Sequence, residues 1–166
     1  MTEGTVPTRS DSQIIIRQTV RGQIKLLHPD AIVPGYGTAG ACAMDLRVML
    51  PEPILILQPG EQELVGTGIA LQFDAPGYGL MIMPRSSAGK AGIVLGNIVA
   101  LIDEDYTGEI MLLLWNRGNE RRIVEHGERV AQLAIVPMLQ ADLRVVDEFE
   151  RDTARGAGGF GSTGKA

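Results

Sequence analysis

A single cysteine, Cys42, leaves no partner for an intrachain disulfide, and a reducing compartment is the simpler assumption for such a chain. Aromatic residues are also scarce, at 4% against a hydrophobic total of 45%, so the core has to be built from Ile, Leu and Val. No apolar run approaches the roughly 18 residues of a membrane-spanning helix, and the first residues hold no apolar signal core. A cytoplasmic protein without membrane contact is therefore expected. Basic residues are outnumbered, 15 Lys and Arg against 20 Asp and Glu for a net charge of −5, which argues against a nucleic-acid partner. An anionic small ligand stays open, because a local arginine cluster outweighs global charge within about 10 Å. Helical periodicity is missing too: no amphipathic stretch reaches the ten or so residues of a stable packed helix.

What is present is glycine and proline, 21 and 9 residues, punctuating apolar runs of about five residues each. Strands are expected at Ile14-Ile15-Ile16, Gln23 to Leu27, Met44 to Val48, Ile54 to Leu57, Leu80 to Met83, Arg129 to Val136 and Asp142 to Val146. Glu63 to Val65 and Ile69 to Phe73 flank Gly66-Thr67-Gly68 as a candidate hairpin. Arg85 to Lys90, entered from Pro84, is the one short helix. In 166 residues this pattern predicts one all-β sandwich or barrel. Residues 1–12 read as a disordered leader, 13–149 as the domain, and 150–166 as a flexible Gly-rich arm.

The chain is organised around Gly96-Asn97-Ile98-Val99-Ala100-Leu101-Ile102-Asp103-Glu104-Asp105-Tyr106-Thr107-Gly108. Ile98 to Ile102 reads as a buried strand that stops at three carboxylates, a tyrosine and a glycine, and Glu109 to Trp115 follows as a second strand. The pair suggests a hairpin with an acidic tip. A carboxylate fixed there, Asp103, suits a general base; the stretch alone also reads as a solvated turn. Pro84-Arg85-Ser86-Ser87-Ala88-Gly89 sets a guanidinium beside hydroxyls and helix-start amides, a donor set for phosphate oxygens, or simply a helical turn with a surface arginine. No Gly-x-Ser-x-Gly elbow surrounds Ser86, so it is not read as a nucleophile.

Asp45, on an otherwise apolar strand, either supports a cation or arginine or is a structural acceptor. Gln132 needs partners if buried, water among them. The tail from Arg155 to Lys165 mimics a P-loop in spacing, but without a preceding strand and a following helix it lacks the helix N-terminus that meets a phosphate. Its arginine, aromatic ring and hydroxyls among glycines instead suit a segment ordered by a nucleotide. Cys42, His28 and His126 show no metal-ligand spacing, so no protein metal site is assigned.

Taken in order, Ala41-Cys42-Ala43-Met44-Asp45-Leu46, Pro84-Arg85-Ser86-Ser87, Gly96-Asn97 through Gly108, Trp115-Asn116-Arg117-Gly118 with Gly127-Glu128-Arg129-Val130-Ala131-Gln132, and the end from Arg155 to Gly164 resemble the five motifs of the trimeric dUTPase family. The likeness runs from about Tyr36 to Gly164. One departure is Cys42-Ala43, where the family usually carries Ala-Gly; the alanine adds a methyl and restricts the backbone.

The resemblance implies a jelly-roll-type β-barrel, a homotrimer with sites shared between subunits, Mg²⁺ held by substrate phosphates and water, and hydrolysis of dUTP to dUMP and pyrophosphate. It implies that Asp103 activates water, with Gln132 helping to hold it. Asn97, Tyr106 and Phe160 would bind the nucleoside, and Arg85, Ser86, Ser87, Gln132, Arg155, Gly161, Ser162 and Thr163 the phosphates. Asp45 would support the phosphate–Mg²⁺ region. The related dCTP deaminases carry a glutamate at the position matching Leu113, and leucine cannot shuttle protons. An interaction protein that kept the fold but lost the chemistry is the rival from another class.

Overall fold

The computed structural model describes residues 19–158, and within them short strands do nearly all the work. They are β1 (Gly22–Leu26), β2 (Met44–Arg47), β3 (Ile54–Leu57), β4 (Gln62–Gly66), β5 (Ile69–Phe73) and β6 (Tyr78–Pro84). After the one helix, α1 (Ser86–Lys90), come β7 (Ile93–Leu95), β8 (Ala100–Ile102), β9 (Met111–Asn116), β10 (Arg122–Glu125) and β11 (Arg129–Pro137). Every pairing is antiparallel. The ladders fall into four pieces: β2-β11-β6-β8, β4-β9-β7, β1-β5 and β10-β3. The result is all-β and jelly-roll-like, with sheets that do not close into one continuous barrel.

Alternation explains how these pieces share an interior. Along β9, Leu112, Leu114 and Asn116 are buried while Met111, Leu113 and Trp115 are only half-buried, as expected when successive side chains point to opposite faces. Leu46, Val48, Leu57, Ile69, Ile82, Leu95, Ile110, Leu114, Val124 and Leu133 form one buried cluster. Among the described residues it contains no aromatic ring, which the composition required. Asn116 is the polar exception: its amide donates to the carbonyls of Leu57 and Glu120, and its oxygen accepts from the Gly118 amide.

Several sequence expectations need correcting. β4 and β5 do not form a hairpin, because their connection is stitched elsewhere. Buried Thr67 donates its hydroxyl to the Ile110 carbonyl at 2.7 Å, Gly68 turns with φ +69°, and the Gly68 amide donates to Glu109. The two strands therefore enter different sheets, β4 beside β9 and β5 beside β1.

The central run is not a buried five-residue strand either. Ile98 has φ +64°, the only positive φ outside glycine among the described residues, and Ile98 and Leu101 are 71% and 67% exposed. Only Ala100–Ile102 remains extended, and it pairs with β6 rather than β9. The acidic loop thus hangs between β7 and β9, which do pair.

Asp142 to Val146 forms no strand among the described residues, and Leu143 and Val145 stand exposed. The expected strand at 14–16 and the leader at 1–12 lie outside the described residues, as does the arm beyond residue 158.

Candidate active site

Strand register assembles the first group of polar residues. Gln132 on β11 lies opposite Asp45 on β2 and opposite Met83 on β6. Directly opposed residues of an antiparallel pair share a face, so Asp45 and Gln132 emerge side by side. Pro84 ends β6, and Arg85 follows with an extended backbone before α1 begins. Its amide donates to the Val130 carbonyl, and the Gly89 amide donates back to the Arg85 carbonyl. That double anchoring turns the Arg85 side chain onto Asp45.

The Arg85 Nε lies 2.7 Å from Asp45 Oδ1, and Arg129 Nη1 lies 2.9 Å from Asp45 Oδ2. Arg85 Nη1 also donates weakly to the Arg129 carbonyl at 3.4 Å, and Gln132 Nε2 donates to the Pro84 carbonyl at 3.2 Å. Asp45, Arg85, Ser86, Ser87 and Gln132 line one depression of about 410 Å³, floored by Thr38, Ala41 and Ala43. Two guanidiniums against one carboxylate leave this corner net positive in a chain of charge −5. Ion pairs this accessible contribute only about 0–1 kcal/mol each to folding. Their effect is to hold two planar donors where an anion can meet them. Asp45, ambiguous in the sequence, is thus an arginine-holding carboxylate.

Arg129 was not singled out from the sequence. It lies in the stretch 127–132 quoted for the resemblance, three residues before Gln132, but a strand-start arginine looks like any solvated one until β2 is seen beside it.

The second group sits on the loop between β7 and β9. The Gly96 amide donates to the Leu113 carbonyl at 2.7 Å, and the Ile98 amide to the Leu95 carbonyl. A Cβ on Gly96 would come within 2.7 Å of the Leu113 side chain, so the loop enters pressed against β9. Further on, the Tyr106 amide donates to the Asp103 carbonyl, and the Tyr106 hydroxyl to the Glu109 carbonyl at 2.8 Å. The ring lies over Gly108, where a Cβ would meet the hydroxyl oxygen at 2.6 Å. The acidic tip is tied down by the Gly77 amide, which donates to Glu104. Asn97, Asp103 and Tyr106 are all exposed. None of the three lines the depression around Arg85.

The third group is only partly described. Arg155 turns back on itself, its Nε donating to the Gly158 carbonyl at 2.9 Å, while Phe160, Gly161, Ser162 and Thr163 lie outside the described residues. A larger depression, about 560 Å³, lies elsewhere. Residues such as Val33, Tyr36, Cys42, Leu71 and Phe73 line it, with no charged side chain among them, so it is unsuited to phosphate.

A folded arginine–carboxylate–serine corner, an aromatic-capped acidic loop and a Gly-rich end are the parts on which comparison with known proteins turns. The family profile described as dUTPase matches residues 30–164. The chain belongs to the dUTPase family. Among curated relatives, the deoxyuridine 5′-triphosphate nucleotidohydrolase of Hahella chejuensis is 52% identical over 141 residues, covering 84% of this chain and 91% of that one. That of Paraburkholderia xenovorans is 54% identical over 134 residues, or 80% and 89% of the two chains. Among solved structures, a variant of the Staphylococcus bacteriophage 80alpha dUTPase with dUpNHpp superposes with a TM-score of 0.78 at 25% identity. That match covers 89% of this chain and all of the other. The dUTPase match includes the residues of all three groups and runs on to residue 164.

Proposed function

We propose that this dUTPase-family protein hydrolyses dUTP to dUMP and pyrophosphate, lowering dUTP and supplying dUMP for thymidylate synthesis in the cytoplasm. The observation that carries the reading is the clamp of Arg85 and Arg129 on Asp45 beside Ser86, Ser87 and Gln132. A triphosphate bears about four negative charges, and its hydrolysis depends on positioning and charge neutralisation rather than on covalent chemistry. The Arg85 guanidinium, the α1 hydroxyls and the Gln132 amide would donate to phosphate oxygens. Asp45 keeps the arginines oriented.

Both Asp45 oxygens already face guanidiniums, and among the described residues no other carboxylate lines the depression. This donor set suits Mg²⁺ arriving on the substrate's own phosphates with its waters, not a protein cage. Bound there, Mg²⁺ would supply neutralisation of the charge that develops on the departing pyrophosphate.

The acidic loop would hold the nucleoside. Asn97 and the loop backbone would read the uracil edge, and Tyr106, braced by Glu109 and packed on Gly108, would lie under the deoxyribose and leave no room for a 2′-hydroxyl. Asp103, whose carboxylate has no hydrogen bond or ion pair among the described residues, would take the proton of a water whose oxygen attacks the α-phosphorus. The bond to the bridging oxygen then breaks and pyrophosphate leaves. Leu113 behind Gly96 puts an aliphatic chain where a deaminase would need a proton carrier.

Two supports favour a homotrimer with shared sites. Asn97, Asp103 and Tyr106 do not line the depression that holds Arg85. The stretch after β11 also leaves Leu139, Leu143, Val145 and Phe149 between 86% and 98% exposed, an apolar strip that suits burial on a neighbour. The arm with Phe160, Arg155, Gly161, Ser162 and Thr163 would then close over a neighbouring subunit's nucleotide.

The test is pyrophosphate release with Mg²⁺ from dUTP, dTTP, dCTP and UTP in parallel, beside Asp103→Asn. Release from dUTP alone is expected. The asparagine variant should bind the nucleotide normally and turn over roughly 10²–10⁴-fold more slowly. Near-normal turnover would remove Asp103 as the base, and no release from any of the four would leave a binding protein.

A further inference from the structure

His28 and Asp30 are brought to His126, far away in sequence, by two loops that the proposed hydrolysis does not use. The chain leaving β1 is pinned where the Leu27 amide donates to the Gly68 carbonyl, then turns tightly as the Ala31 amide donates to the His28 carbonyl. Opposite it, His126 occupies the turn between β10 and β11, held by its own amide to the Pro53 carbonyl and by the Gly127 amide to the Val48 carbonyl. The two imidazoles stand 5.5 Å apart between ring centres. Asp30 Oδ2 lies 3.5 Å from His126 Nε2 and 4.0 Å from His28 Nδ1. One candidate ligand atom from each of the three residues lies within 4.8 Å of the others.

The second observation is an orphan. His126 Nδ1 sits within reach of both the amide and the carbonyl of Leu50, at 3.1 and 2.9 Å, so the ring's orientation is fixed. Its Nε2 is fully buried yet has no hydrogen-bond partner. A buried imidazole nitrogen left unpaired is costly. Here it faces a carboxylate oxygen at a distance that lacks hydrogen-bond geometry. For a tetrahedral ion with nitrogen and oxygen ligands at about 2.0–2.2 Å, adjacent ligand atoms are separated by about 3.4 Å. The 3.5 Å between Asp30 and His126 matches that edge. The 4.0 Å to His28 Nδ1, which accepts the Asp30 amide at 3.1 Å, would have to close as His28 turns a nitrogen onto the ion. Backbone contacts on the other ring nitrogen are also what orients a ligating histidine.

We propose that His28, Asp30 and His126 form a structural site for a divalent transition ion of the zinc class. Two imidazoles and one carboxylate are borderline donors that suit Zn²⁺ or Co²⁺, whereas Mg²⁺ seeks oxygen ligands. The site is therefore chemically distinct from the Mg²⁺ of the proposed reaction. Glu52 lines the same depression, of about 440 Å³, beside the three residues, leaving room for water in the fourth position. A bound ion would clip the loop after β1 to the turn that launches β11, the strand bearing Arg129 and Gln132.

The experiment uses the full-length, tag-free protein after chelator treatment. Co²⁺ is titrated with visible absorption as the readout, then Zn²⁺ is added in competition and thermal unfolding recorded. One Co²⁺ per chain with tetrahedral d–d bands is expected, displaced by Zn²⁺, indifferent to excess Mg²⁺, and accompanied by a raised Tm. His28→Ala and Asp30→Ala, at side chains 36% and 69% exposed, should keep the native circular dichroism and weaken binding at least tenfold. Cys42→Ser should bind as the parent does. Absence of d–d bands, binding unchanged in both variants, or binding lost with Cys42→Ser would each overturn the proposal.

Discussion

Arg129 and Arg85 approach opposite oxygens of one carboxylate, so losing either guanidinium frees half of Asp45 and disorients the other arginine. Arg129→Met keeps the aliphatic stem and removes only the charge and the fork. Because Arg129 is 47% exposed and Asp45 23%, the pair adds little to folding, and Tm should move by no more than about 2–4 °C. kcat/KM for dUTP should nevertheless fall by roughly tenfold or more, since Arg85 would lose its fixed orientation and a charge-assisted donor at the phosphates contributes about 1.5–3 kcal/mol. Steady-state kinetics beside a thermal melt separate the two effects; parallel losses in both would mean Arg129 is structural. At this scale Asp45 and Gln132 are legible as polar residues on apolar strands, and Arg85 as a guanidinium beside hydroxyls at a helix start. Arg129 escaped because only the alignment of β2 with β11 gives it a partner. His28 and His126 give no metal-ligand spacing in the sequence, because they are joined by loops whose meeting no spacing encodes.

Among the elements, the acidic loop depends on a fit between Gly108 and Tyr106. Gly108→Ala would place a methyl 2.6–2.7 Å from the hydroxyl end of the ring, so the ring must swing and its bond to the Glu109 carbonyl must break. Tyr106 is 44% exposed, and the fold should lose no more than about 1 kcal/mol, a typical surface change. If the ring excludes the 2′-hydroxyl, KM for dUTP should rise several-fold and discrimination against UTP should narrow, measurable as the ratio of kcat/KM values. Unchanged discrimination would detach Tyr106 from sugar selection. Strand positions such as β3, β5 and β11 were legible because a short apolar run between turn residues has few alternatives. Pairing was less legible. Gly66-Thr67-Gly68 looks like a hairpin turn until Thr67 is seen bonded to Ile110, and Ile98 looks like strand until its backbone proves left-handed. A non-local bond decided the first, which a local pattern cannot carry; the second is a tight turn in which the Ile98 amide bonds back to Leu95.

Across the whole molecule, the proposed function gives the strip Leu139, Leu143, Val145 and Phe149 and the Gly-rich end separable roles. Removing residues 155–166 should leave the assembly intact and cripple hydrolysis. Removing residues 139–166 should dissociate it as well, checked by light scattering of each truncated form; a monomeric full-length chain would overturn the shared-site reading. The stretch 142–146, expected as a strand, finds no edge to join among the described residues. The β class itself was plain, since so many short runs and so few helical periods admit little else. A last consequence comes from the four separate ladders packed on one aliphatic interior. Backbone bonding alone would let each ladder come apart in its own time. Leu57, Ile69, Leu114 and Leu133, one from each ladder, instead touch a common cluster, so cooperativity has to come from side chains. Trp115, the only tryptophan, sits on the middle strand of just one ladder. Its fluorescence should nonetheless trace the same denaturation curve as the far-ultraviolet signal of all four, making a single native fluorophore a reporter for the entire subunit.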